Sequence, residues 1–122
     1  MKAWVLEPTG QYEKDYKWFE KKLPEELKAI LDNLDTYFRV LNECGSPMQV
    51  MFGFIHNEPE GIKAIDQKGG GKRTKPRQAR LYVFPDSLNN TLYLLKMGTK
   101  TNQRDDISNC REQVRKIKGE RR

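Results

Sequence analysis

The stretch "ARLYVFPDSLNNTLYLLKMGTKTNQRDDIS", residues 79–108, decides the fold. Its first part, "ARLYVF", is rich in β-branched and aromatic residues and reads as a strand. "PDSLNN" holds turn formers. "TLYLLKMG" is a second strand, so the two predict an antiparallel hairpin. Gly98 then permits a tight bend, and a helix follows from about residue 103 to 118. That helix carries Ile107, Cys110, Val114 and Ile117 on one face. Asn102 is placed to cap its start, and Asp105 and Asp106 lie where the helix dipole favours negative charge. The elbow between strand and helix holds Lys96, Lys100, Gln103 and Arg104, a basic group at the end of a core strand.

Upstream, Leu27, Ile30, Leu31, Leu34, Phe38 and Leu41 recur at three- and four-residue steps, which predicts an amphipathic helix over residues 24–43. Pro24 suits its first turn, Gly45 its C-terminal cap, and Ser46-Pro47 its stop. Tyr12, Tyr16 and Phe19 predict a helix just before it, so the two form a helical hairpin. "AWVLE" at residues 3–7 reads as a short strand with Trp4 and Leu6 on one side. "MQVMFGFIH" at residues 48–56 reads as a strand, and "GIKAI" at residues 61–65 as another or as its continuation after a turn. The fold class is therefore α+β. An N-terminal strand and a helical hairpin pack on a mostly antiparallel sheet of three to five strands, with a C-terminal helix. All helices are expected on one face.

The 122 residues suit one domain, with residues 119–122 as a frayed tail. The formal charge of +6 favours an anionic partner: nucleic acid or an acidic protein. Two distant cysteines, Cys44 and Cys110, make no disulfide framework. No apolar run approaches the roughly 18 residues of a membrane span, and "MKAWVLEPTG" lacks the apolar centre of a signal peptide. A cytoplasmic protein without a membrane partner is the expectation.

Residues 67–79 form a Gly-rich basic loop carrying Lys68, Lys72, Arg73, Lys75 and Arg77, with Arg80 just beyond. Cations of a single sign on a flexible segment suit a nucleic-acid backbone, where they release counterions; the plain alternative is a solvated loop. It is not a phosphate-binding P-loop, because Gly71-Lys72 is followed by Arg73 rather than Ser or Thr. His56 is the only histidine and reads first as structural. The spacing of His56 and the two cysteines matches no zinc site, so no metal and no cofactor are expected. One reaction class fits a chain without histidine chemistry or a metal cage. In RNA cleavage the substrate's 2′-hydroxyl is the nucleophile, and the protein orients it and stabilises charge on the phosphorus centre.

The segment "FEKKLPEELKAILDNLDTYFRVLNECGSP" (residues 19–47) and the stretch 79–107 together resemble the RelE/ParE superfamily of bacterial toxins, in particular its HigB-like and phage-borne branch. The first is similar to that family's helical hairpin with its Gly-x-Pro turn. The second is similar to its central strand, hairpin turn, buried strand, basic turn and final helix. The resemblance implies the toxin component of a type II toxin-antitoxin system: an endoribonuclease that cuts mRNA, on the ribosome or free of it, held in check by a cognate antitoxin with a helix-turn-helix. It implies Arg80 and Lys100 as the catalytic, phosphate-stabilising cations. Lys63, Lys68, Lys72, Arg73, Lys75, Arg77, Lys96 and Arg104 would then hold the RNA backbone. Tyr82 or Tyr93 offers a ring for base stacking, although both positions also suit strand packing. The alternative is a non-catalytic protein that binds nucleic acid or an acidic partner with the same surface. Either way, Arg80 and Lys100 are expected to converge on one site.

Overall fold

A computed structural model describes residues 3–67 and 79–120. Five strands form one sheet: β1 (Val5–Pro8), β2 (Ile55–Asn57), β3 (Lys63–Asp66), β4 (Ala79–Asp86) and β5 (Thr91–Thr99), in the order β1-β5-β4-β3-β2. β1 runs parallel to β5 and every other pair is antiparallel. The helices are α1 (Gly10–Lys22), α2 (Pro24–Cys44) and α3 (Gln103–Glu120). This is the expected α+β architecture.

The local signals act where the sequence places them. Thr9 caps α1 by accepting from the Tyr12 amide at 3.2 Å, and its hydroxyl lies 2.9 Å from the Leu94 carbonyl, which ties the helix start to β5. α2 begins at Pro24 and stops at Gly45, whose φ of 78° is the left-handed conformation that glycine adopts without a Cβ clash. Leu27, Ile30, Leu34 and Leu41 of α2 pack with Phe19 of α1 against Ile65, Leu81, Val83, Leu92, Leu94 and Met97 of the sheet. Tyr37, which the spacing did not pick out, is fully buried, while Leu31 and Phe38 are only partly so.

Tyr37 carries a testable consequence. Its hydroxyl is buried with no hydrogen-bond partner among the described residues. Burying an unpaired hydroxyl costs about 1–3 kcal/mol. Tyr37→Phe is therefore expected to leave the melting temperature unchanged or to raise it by a few degrees. A fall of more than about 5 °C in a calorimetric scan, on the order of 1 kcal/mol, would mean that the hydroxyl has a partner.

Four expectations need correction. α3 lies not beside the helical hairpin but on the opposite face, where Cys110 and Val114 pack on Ile62, Ala64, Tyr82, Phe84 and Leu95. A strand alternates its side chains between faces, and β4 is apolar on both, so each face needs a cover. The stretch 48–56 is mostly not strand. Pro47–Gln49 forms a 3-10 turn, Met48 and Met51 are exposed, and only Ile55–Asn57 pairs with β3. Leu6 is exposed rather than buried with Trp4, on β1, an edge strand whose four residues are all exposed. Gly98 makes no bend. It lies inside β5, opposite Arg80, and is absent from the positive-φ positions. At the far end a 3-10 turn, Lys100–Asn102, leads directly into α3, which stays helical through Gly119 and Glu120.

Candidate functional site

On the α3 side of the sheet, at the end where β5 runs into α3, charged side chains gather between strands and helix. Arg80 alternates onto this face, between Ala79 and Leu81, which pack on the other. Its register partners are Gly98 on β5 and Asp66 on β3. The guanidinium leans across β3 towards Glu58, with Nη1 3.8 Å from the Glu58 carboxylate. Both side chains are mostly covered, at 16% and 13% exposure. That contact is longer than the roughly 2.7–2.9 Å of a charge-assisted hydrogen bond. Arg80 Nε is buried with no hydrogen-bond partner among the described residues.

Beside it, His56 Nε2 lies 2.8 Å from Asp66 Oδ2. The carboxylate is the buried member at 14% exposure and the imidazole the open one at 37%. Asp66 is itself held through the chain: its amide donates to Phe54 and its carbonyl accepts from the Asn33 side chain of α2 at 2.8 Å.

Lys96 forms a second group. Its ammonium lies 3.7 Å from Asp15 and 3.6 Å from Asp106. A β-bulge between Tyr82 and Val83 puts Lys96 opposite Tyr82 and Leu94 opposite Val83, so Leu95 is the extra residue. Strict alternation would give Lys96 the same face as Leu94, inside the helical-hairpin core. The bulge turns it to the α3 side instead. Asp15 also accepts the Met97 amide at 3.0 Å, satisfying a strand donor beyond the reach of β1. Asp106, read as a helix-dipole partner, is 5% exposed. Burial pushes its carboxyl above the usual range. Lys96 pulls it back in part, and Asp15 pushes it further up. A Cβ on Gly98 would stand 1.8 Å from Asp106 Oδ2, so glycine is required here by a close approach. Burial also pushes the Cys110 thiol up to about 12, which leaves it protonated and inert.

The remaining cations of the sequence reading divide clearly. Lys100 and Arg104 are exposed in and just after the turn that leads to α3, with Lys100 two residues beyond the partner of Arg80. Arg80 and Lys100 thus share one end of the sheet. Lys63 is partly buried on β3 and donates to Asn57. Its register partner Val83 belongs to the helical-hairpin face. Lys68, Lys72, Arg73, Lys75 and Arg77 lie outside the described residues. The ends of that loop are joined by the Ala79 amide donating to Gln67 Oε1 at 2.8 Å. Tyr82 is buried, and Tyr93 stacks on Phe84 with centroids 6.3 Å apart.

Glu58 and Asp66 escaped the sequence reading, and Asp106 was read only as a helix-dipole partner. A carboxylate signals a role only through its partner, and these partners are up to 22 positions away. Among the described residues no group of three or more His, Cys, Asp or Glu could hold a metal ion, and no helix is long and apolar enough to cross a membrane. Comparison of the chain with protein-family models, curated proteins and solved structures finds no match.

Proposed function

We propose that the protein is an RNA-cleaving toxin of the RelE/ParE kind. It would cut mRNA by attack of the 2′-hydroxyl on the adjacent phosphorus, and a helix-turn-helix antitoxin would silence it by laying an acidic segment over the cations. The observation that carries this reading is the placement of Arg80 and Lys100 at one end of the sheet, on rigid β4 and at the exit of β5. The element order β-α-α-β-β-β-β-α and the charge of +6 support it. Arg80, whose buried Nε has no hydrogen-bond partner among the described residues, is the cation for a non-bridging phosphate oxygen, and Lys100 approaches from solvent. The substrate brings its own nucleophile. The protein's tasks are then alignment and charge stabilisation.

Lys100→Ala is the clean test, because an exposed turn residue changes stability by at most about 0.5 kcal/mol. The variant is expected to keep its melting temperature and to lose about 10²-fold or more in mRNA cleavage, the size typical of one transition-state donor. Cleavage at the wild-type rate would remove Lys100 from the site.

A second reading, a non-catalytic binder of nucleic acid or of an acidic partner, is favoured by one observation. Arg80 and Lys96 already face carboxylates: Glu58 for the first, Asp15 and Asp106 for the second. That reading predicts RNA affinity falling steeply with salt and no cut RNA at any protein concentration.

A further inference from the structure

We propose that His56, steered by Asp66, is the general base of the same site and takes the proton from the attacking 2′-hydroxyl. The inference rests on the RNA-cleaving reading and adds to it the proton-transfer group that Arg80 and Lys100 do not supply.

The geometry is that of an oriented base. A mostly covered carboxylate holds one ring nitrogen of a more open imidazole at 2.8 Å. With Asp66 ionised, Nε2 carries the hydrogen and donates it. That leaves the lone pair on Nδ1, the assignment following from the carboxylate partner. A third group orienting the base is the arrangement seen wherever a side chain must accept a proton in one direction.

The register then brings base and cation together. His56 pairs with Ala64, and two residues on, Asp66 pairs with Arg80. Ala64 and Arg80 belong to the α3 side of the sheet, and by alternation His56, Glu58 and Asp66 do too. Strands β2 and β4 are two spacings apart, roughly 10 Å. The Arg80 guanidinium closes that gap, because it leans over β3 to Glu58, which follows His56 by two positions. The proposal places one phosphodiester between that imidazole and that guanidinium. Asp66, Glu58 and Arg80 share the face with His56, and Lys96 and Asp106 lie on the same face at β5 and α3.

The step balances. His56 Nδ1 accepts the 2′-hydroxyl proton as the 2′-oxygen bonds to phosphorus and the bond from phosphorus to the 5′-oxygen breaks. The departing 5′-oxygen takes a proton from water, and the imidazolium returns its proton to the hydroxide that remains. The products are a 2′,3′-cyclic phosphate and a 5′-hydroxyl end.

The test is single-turnover cleavage of an mRNA fragment by the full chain, followed against pH, with end-group analysis. The wild type is expected to show a rate that rises with pH as the base is freed of its proton. His56→Ala and His56→Gln are both expected to fold, to cleave about 10²- to 10⁴-fold more slowly, and to lose that rise. Added imidazole is expected to restore part of the rate to His56→Ala. Asp66→Asn is expected to keep a rise with pH at a reduced rate. Should the wild type cut while both folded His56 variants cut equally fast, the base assignment falls and the toxin reading stands. Should the wild type leave RNA intact, with and without ribosomes, both fall.

Discussion

Gly98→Ala is expected to lower the melting temperature by roughly 10–20 °C. The new Cβ would stand 1.8 Å from Asp106 Oδ2 and 2.8 Å from its Cγ. The atoms in the way are not the free end of a long surface chain. They belong to a short side chain on α3, 5% exposed, whose other oxygen lies 3.6 Å from Lys96. Relief requires either a turn of the Asp106 carboxylate away from Lys96 or a shift of α3 off the sheet. Overpacking costs about 1–3 kcal/mol, and separating a buried ion pair costs about 3–5 kcal/mol, so a loss on the order of 3–5 kcal/mol follows. Removing the obstacle should recover much of it. Gly98→Ala combined with Asp106→Ala is expected to be more stable than the sum of the two single losses predicts, by about 1–3 kcal/mol in a double-mutant cycle. Denaturant titration of the four proteins checks this. Additive losses would mean that the contact between residues 98 and 106 does not govern this part of the fold.

Lys96→Met carries the second large effect. The substitution keeps the length and apolar stem of the side chain and removes only the charge. Asp15 and Asp106, which flank the ammonium at 3.7 and 3.6 Å, then face each other across a covered space with no cation between them. Leaving a buried charge uncompensated costs about 3–5 kcal/mol. The pH dependence has a definite sign. Burial and Asp15 already hold the Asp106 carboxyl above its ordinary value, and loss of Lys96, which pulls it down, raises it further. A carboxyl raised in the folded state binds a proton more readily than it does in the unfolded chain. Its contribution is therefore most favourable below the unfolded value of about 3.9, and stability is lost as pH rises towards the folded value. The deficit of Lys96→Met against the wild type should accordingly shrink on acidification from pH 7 through the carboxylate range. Unfolding curves at pH 7, 5.5 and 4 read it directly. A deficit that stays constant or widens towards pH 4 would show that the two aspartates do not carry the cost. Both predictions are read as stability of the protein without RNA, so they survive whichever function holds.

The two effects meet at a single irregularity in β5, and that irregularity separates what local sequence can specify from what it cannot. Periodicity determined the elements. The apolar steps from Leu27 to Leu41 set α2, Gly45 its end, and the alternation around "PDSLNN" the hairpin of β4 and β5. Cys110 and Val114 were legible as the buried stripe of α3, because a 3.6-residue repeat needs no knowledge of the partner. The cations Arg80 and Lys100 were legible as chemical types at the start of one strand and just after its hairpin partner. Tertiary structure alone decided which way they and their neighbours turn. The extra residue at Leu95 rotates Lys96 out of one core and over the other, and one residue of register moves a whole side chain across a sheet. The second face of β4 called α3 to the side away from the hairpin. His56, Glu58 and Asp66 became a group with Arg80 only when β2, β3 and β4 paired. A local pattern fixes the backbone conformation of each segment, because dihedral preferences and period act over a few residues. Neighbours across a sheet are separated by the connecting chain, so their meeting, their burial and their charge partners are set by the packed whole.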